Sequence, residues 1–70
     1  MALGWEIQIM QKGQVSEVWH AAIPDAGEAM VEISIAAGST IDEPLRASRE
    51  LTAEQIKALG LAPDQIKRFS

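Results

Sequence analysis

Trp5-Glu6-Ile7-Gln8-Ile9 and Val15-Ser16-Glu17-Val18-Trp19-His20-Ala21-Ala22-Ile23, separated by Met10-Gln11-Lys12-Gly13-Gln14, decide the fold. The first run alternates apolar and polar residues, with β-branched and aromatic side chains in the apolar places, the period-two signature of a half-buried strand. The second keeps Val15, Trp19, Ala21 and Ile23 on one face, and Gly13 offers a positive-φ position for a turn. The pair predicts an antiparallel β-hairpin over about 4–11 and 15–23. An odd-length loop is expected, because it sets Trp5, Ile7 and Ile9 on the face of Val15, Trp19 and Ile23. An even-length loop would oppose them to Ser16, Val18 and His20.

Outward from the hairpin, Pro24 to Gly38 supports two readings. Val31-Glu32-Ile33-Ser34-Ile35 alternates and is β-branched, which suits a third strand. Against this, Asp25 and Glu28 are spaced as a helix N-cap pair and Gly38 suits a helix stop. Ala26, Ala29, Met30, Ile33 and Ala37 then share one helical stripe. A helix over about 26–37 is the favoured expectation, since the propensity penalty of β-branched residues is only a few tenths of a kcal/mol each. Residues 38–44 read as loop, Pro44 biases Glu43 toward extended geometry, and an edge strand is expected over about 45–51.

The last twenty residues form a gapless ten-residue tandem, 51–60 and 61–70, with Leu, Gln, Ile and Lys identical at matching places. In the first copy Thr52 and Gln55 suit a capping box, and Leu51 and Ile56 a hydrophobic staple. In the second, Pro63 suits a first helical position and Leu61 with Ile66 repeats the staple. Two short helices are expected, about 53–59 and 63–69, broken at Gly60. One continuous helix would carry Gly60 and Pro63 in its interior at about 1 and 3 kcal/mol. The whole predicts a single small α+β domain over residues 1–70.

Composition narrows the function classes. The hydrophobic fraction is 47% with 23% charged, which suits a folded domain rather than a disordered tail. No cysteine is present, so there is neither a disulfide staple nor a thiolate metal site. No run approaches the ~20 apolar residues of a membrane span, and no basic segment leads into an apolar one, so a soluble cytoplasmic protein is expected. The net charge of −4 resides wholly in residues 1–35, where Lys12 alone faces Glu6, Glu17, Asp25, Glu28 and Glu32. That half repels nucleic acid and anionic lipid alike.

Candidate chemistry is sparse. His20 is the sole imidazole, on a strand and pointing away from the apolar face, so an exposed residue without a role is the simplest expectation. Nucleophilic triads and mononuclear metal sites have little to draw on. The carboxylate pairs Asp42/Glu43 and Glu28/Glu32 read as solvated surface, and the glycines form no phosphate loop. No enzyme activity, cofactor or metal is expected. Thr52 to Phe69, with helix, Gly60 and helix, and with Ile56, Leu59, Leu61, Ile66 and Phe69 apolar, has helix-turn-helix spacing. At the level of that spacing it is similar to the start of the wing-bearing MerR-type DNA-binding domains. The resemblance implies nucleic-acid contact by Lys57, Gln65, Lys67 and Arg68. The leading expectation is instead a protein-interaction domain, with Trp5, Val18 and Trp19 as interface candidates. Its partner is either another protein or a second copy in a homodimer formed through a sheet edge or the hairpin face.

Overall fold

A computed structural model of the chain describes residues 3–38 and 44–70; Asp42, Glu43 and most of the loop expected over 38–44 lie outside them. The described elements are β1 (Gly4–Gln11), β2 (Gln14–Ala21), α1 (Ala26–Ala37), β3 (Leu45–Leu51), α2 (Ala53–Leu59) and β4 (Ile66–Arg68). The strands form one antiparallel sheet in the order β3-β1-β2-β4, so the fold is α+β with β1 and β2 at its centre.

The hairpin forms, but not through an odd-length loop. Lys12 and Gly13 make a two-residue turn, with φ of 52° and 77° and with Gln11 opposite Gln14. Two successive positive-φ residues give the turn geometry whose twist matches the strands. The pairing then slips: Met10 faces Val15, but Ile9 faces Glu17. Ser16 is the extra residue of this β-bulge, and its hydroxyl donates to the Ile9 carbonyl at 3.1 Å. The bulge restores the parity that the even turn would lose, so Ile7 lies opposite Trp19 and Trp5 opposite Ala21. Val15 is left on the face of Met10, 44% exposed, rather than with Trp19.

A second bulge lies on the other side of β1. Ile7 pairs with Ala47 but Glu6 with Arg49, which leaves Ser48 unpaired. Its hydroxyl lies 3.1 Å from the Glu6 carbonyl and 2.8 Å from the Glu6 carboxylate.

α1 has the expected bounds and covers one face of the sheet. The Asp25 side chain accepts from the Glu28 N–H at 3.1 Å, and Gly38 closes the helix with φ 67°. Ala29 and Ile33 are fully buried against Ile7, Ile9, Ala21 and Ile23, with Met30 and Ala37 packed beside them. The helical stripe thus prevails over the alternating one, because it alone matches a face the hairpin needs covered.

The opposite face carries a second, smaller core. Leu51, Ala22 and Leu61 are buried there, under α2 and the carboxyl-terminal segment. α2 follows expectation: Thr52 and Gln55 form a complete capping box, and Gly60 takes the left-handed cap. The Leu61 N–H bonds to Ile56 O and the Gly60 N–H to Lys57 O, both at 3.1 Å, which satisfies the last carbonyls.

The second predicted helix, 63–69, does not form; residues 66–68 are strand β4, paired with Trp19 to Ala21 of β2. The tandem explains the divergence. The Ala62 N–H bonds to the Gln65 side chain at 2.8 Å, as the Thr52 N–H bonds to Gln55 at 2.8 Å. Ala62 has no hydroxyl to return the bond, so the cap is incomplete. Asp64 instead takes φ 63°, and its N–H reaches Ala22 O at 3.0 Å while Gln65 O accepts from Ala22 N at 2.8 Å. A short uncapped helix is marginal, whereas a strand here fills the open edge of β2.

Gly4 is where α2 meets the sheet. A Cβ there would strike the Ala21 carbonyl oxygen and lie 3.0 Å from Ile56 Cδ1. Gly4→Ala is therefore expected to lower stability by about 1–3 kcal/mol through overpacking. Urea denaturation checks this, and an unchanged midpoint would mean that Gly4 is not held against Ala21 and Ile56.

Candidate functional site

The densest polar constellation lies on the sheet face opposite α1. Glu6, on the central strand, projects there between His20 of β2 and Arg49 of β3, its direct cross-strand neighbours. His20 Nε2 lies 3.2 Å from Glu6 Oε1, and Arg49 Nε 3.3 Å from Oε2, the oxygen that also receives the Ser48 hydroxyl. With the carboxyl ionised, Nε2 is the nitrogen that carries the proton. Glu6 and His20 side chains are only 17% and 6% exposed. His20 is not the exposed strand residue expected from sequence. It does point away from the apolar face, but the Phe69 ring packs against it at a tilt of 59° with centroids 5.0 Å apart, and Leu59 lines the space beside it.

Burial is the largest single influence on the Glu6 carboxyl and pushes its pKa up. Hydrogen bonds from Ser48 and His20 and the positive charge of Arg49 together outweigh burial, so the net shift is below the usual carboxylate value. Chemically, the carboxylate stands between hydroxyl and imidazole and binds both, so the imidazole is not placed on the serine as its base. What the arrangement accomplishes is to tie β1, β2 and β3 together. Among the described residues no three His, Asp or Glu side chains are placed to hold a metal ion.

The four basic or amide side chains singled out for nucleic acid do not converge. Lys67 and Arg68 are successive strand residues and point to opposite faces, Arg68 Nε lying 3.8 Å from Glu17 on the α1 face. Gln65 is engaged with Ala62, and Lys57 stands on α2 at the rim of a different groove. The helix that would read bases is β4. Trp5, Val18 and Trp19 likewise do not form one surface. Both tryptophans flank the α1 core, half-buried, their indole N–H groups donating to Pro24 O at 2.8 Å and to Glu17 Oε1 at 2.9 Å. Val18 lies on the other face, and its backbone is bonded to Phe69 and Ser70. The apolar hairpin face, one of the two surfaces offered for a homodimer, is covered by α1, with Ile7, Ile9 and Ile23 no more than 3% exposed.

Exposed apolar surface occurs elsewhere. Val31 and Ile35 of α1 are 58% and 72% exposed, and with Met30, Ser34 and Leu45 they line a groove of about 390 Å3 beside β3. β3 is an outer strand, and among the described residues nothing pairs with its far side. Sequence reasoning missed this pair although the signal was present: the buried stripe through Ala29 and Ile33 leaves Val31 and Ile35, one turn apart, on the helix's other side. A second apolar groove, about 470 Å3, lies between Leu3, Pro24 and α2, with Lys57 and Asp64 on its rim.

No helix among the described residues is long and apolar enough to cross a membrane. No protein-family model, curated protein or solved structure matches the chain.

The Glu6 cluster sets an acid limit. Because the folded-state carboxyl titrates below its ordinary value of 4.5, its contribution is fully present above that value and is lost as pH falls through the lower folded one. Glu6→Gln is expected to be less stable at neutral pH and to show a shallower loss of stability on acidification. Thermal melts across that range check this; parallel profiles for the two proteins would contradict it.

Proposed function

We propose that this chain is a small non-enzymatic protein-interaction domain whose docking surface is the far edge of β3 together with the adjoining side of α1. One observation carries the proposal: two large apolar side chains, Val31 and Ile35, stand exposed next to a strand edge that nothing pairs among the described residues. Contiguous apolar surface of this kind marks interaction sites, and an open edge offers a row of backbone donors and acceptors to an incoming strand. The polar cluster supports the same reading from the opposite direction. Its hydrogen bonds are spent within the sheet, and its role is to hold β3 to β1.

A photo-crosslinking amino acid placed at position 35, with position 12 in the distant hairpin turn as control, tests this in the cells that make the protein. A discrete protein adduct at position 35 and none at position 12 is the expected result. Equal labelling at both, or no adduct at either, would remove the reading.

A further inference from the structure

Resting on that reading, we infer that the occupant of the β3 edge is an extended segment of another protein that alternates apolar and acidic residues, rather than a second copy of this chain. Strand addition takes affinity from backbone bonds and selectivity from alternate side chains, so the two faces of β3 specify the partner. The Ser48 bulge decides what each face carries. Arg46 pairs with Gln8 and Arg49 with Glu6, which puts both arginines on the face opposite α1. Leu45 and Ala47 pair with Ile9 and Ile7 and lie on the α1 face, as does Glu50, opposite Trp5. Without the bulge, residues 46 and 49 would fall on opposite faces.

One consequence follows for an antiparallel β3–β3 pairing about a twofold axis. Directly opposed residues share a face, so each arginine meets Arg46, Ser48, Arg49 or Leu51 and never Glu50. A second copy therefore brings no β3 carboxylate to the arginine face, and some registers oppose arginine to arginine. A foreign strand with carboxylates on the arginine face has no such conflict, since Arg46 is exposed and the Arg49 side chain stays 58% exposed while touching Glu6. On the α1 side the partner's residues must be apolar. There they meet Leu45, Val31 and Ile35, and α1 carries exposed Glu28 and Glu32, which repel carboxylates.

The test is titration of the isotope-labelled chain with a short capped peptide of alternating valine and glutamate, and with its valine–lysine counterpart. Binding of the glutamate peptide, with amide shifts confined to Leu45–Leu51 and to α1 around Val31 and Ile35, is expected. Arg46→Glu should weaken it about tenfold and raised salt should weaken it further, while Ile35→Asp should abolish it. Arg46→Gln, with circular dichroism of each variant, guards against misfolding. Equal affinity for the lysine peptide, or shifts confined to other elements, would overturn the inference. So would a concentration-dependent dimer dissolved by Ile35→Asp, which would make a second copy the occupant. If neither peptide binds while position 35 still crosslinks to a protein, the partner class is wrong and the docking surface stands; if crosslinking fails as well, both are wrong.

Discussion

The structure depends on two serine-marked bulges that flank its central strand. β1 is bonded on both sides, and each neighbour carries one residue more than β1 can pair, Ser16 in β2 and Ser48 in β3. In each case the serine hydroxyl reaches the carbonyl of the β1 residue just before the slip, Ile9 or Glu6. A bulge interrupts the ladder and leaves backbone groups poorly satisfied; a short polar side chain that bonds back to the facing strand compensates for it. Because side chains alternate with period two, each extra residue exchanges the faces of everything beyond it. The first bulge brings Trp19 and Ala21 onto the side of Ile7, where α1 covers them. The second gathers Arg46 and Arg49 onto the side of Glu6.

The face opposite α1 is built differently from the α1 face. Among the described residues Glu6, His20 and Arg49 occupy its middle, and Leu51, Leu61 and α2 cover one end. A buried His–carboxylate pair stabilises only when its remaining bonds are met, and Ser48 and Arg49 meet those of the Glu6 carboxylate. The carboxyl-terminal segment completes the arrangement. β4 fills the edge of β2, and Phe69, though 66% exposed, sets its ring against His20. A seven-residue helix in its place would have left that β2 edge unpaired.

Much of this was legible in the sequence. Alternation at Trp5 to Ile9, the Asp25 N-cap with the Gly38 stop, and the Thr52–Gln55 box led to β1, α1 and α2 with nearly their observed bounds, because each signal is local and the tertiary structure agrees with it. The failures share a cause. The bulges, the two-residue turn at Lys12-Gly13 and strand β4 are decided by what lies opposite in space, and no periodicity within one segment reveals it. The second half of the tandem shows how small the difference is: alanine in place of threonine at position 62 removes one acceptor, and the open edge of β2 then wins. His20 was misjudged for the same reason, since its cover comes from residues far along the chain.

The docking surface rests on the same geometry. An outer strand with arginines on one face and an apolar helix flank on the other is a selective edge only if Ser48 is the extra residue. The most direct measurement is therefore the pattern of cross-strand nuclear Overhauser contacts along β3. Ala47 opposite Ile7 together with Arg49 opposite Glu6 is the expected result. An unbroken register, with Ser48 opposite Glu6 and Arg49 opposite Trp5, would place Arg49 on the α1 side and contradict both the bulge and the partner chemistry drawn from it.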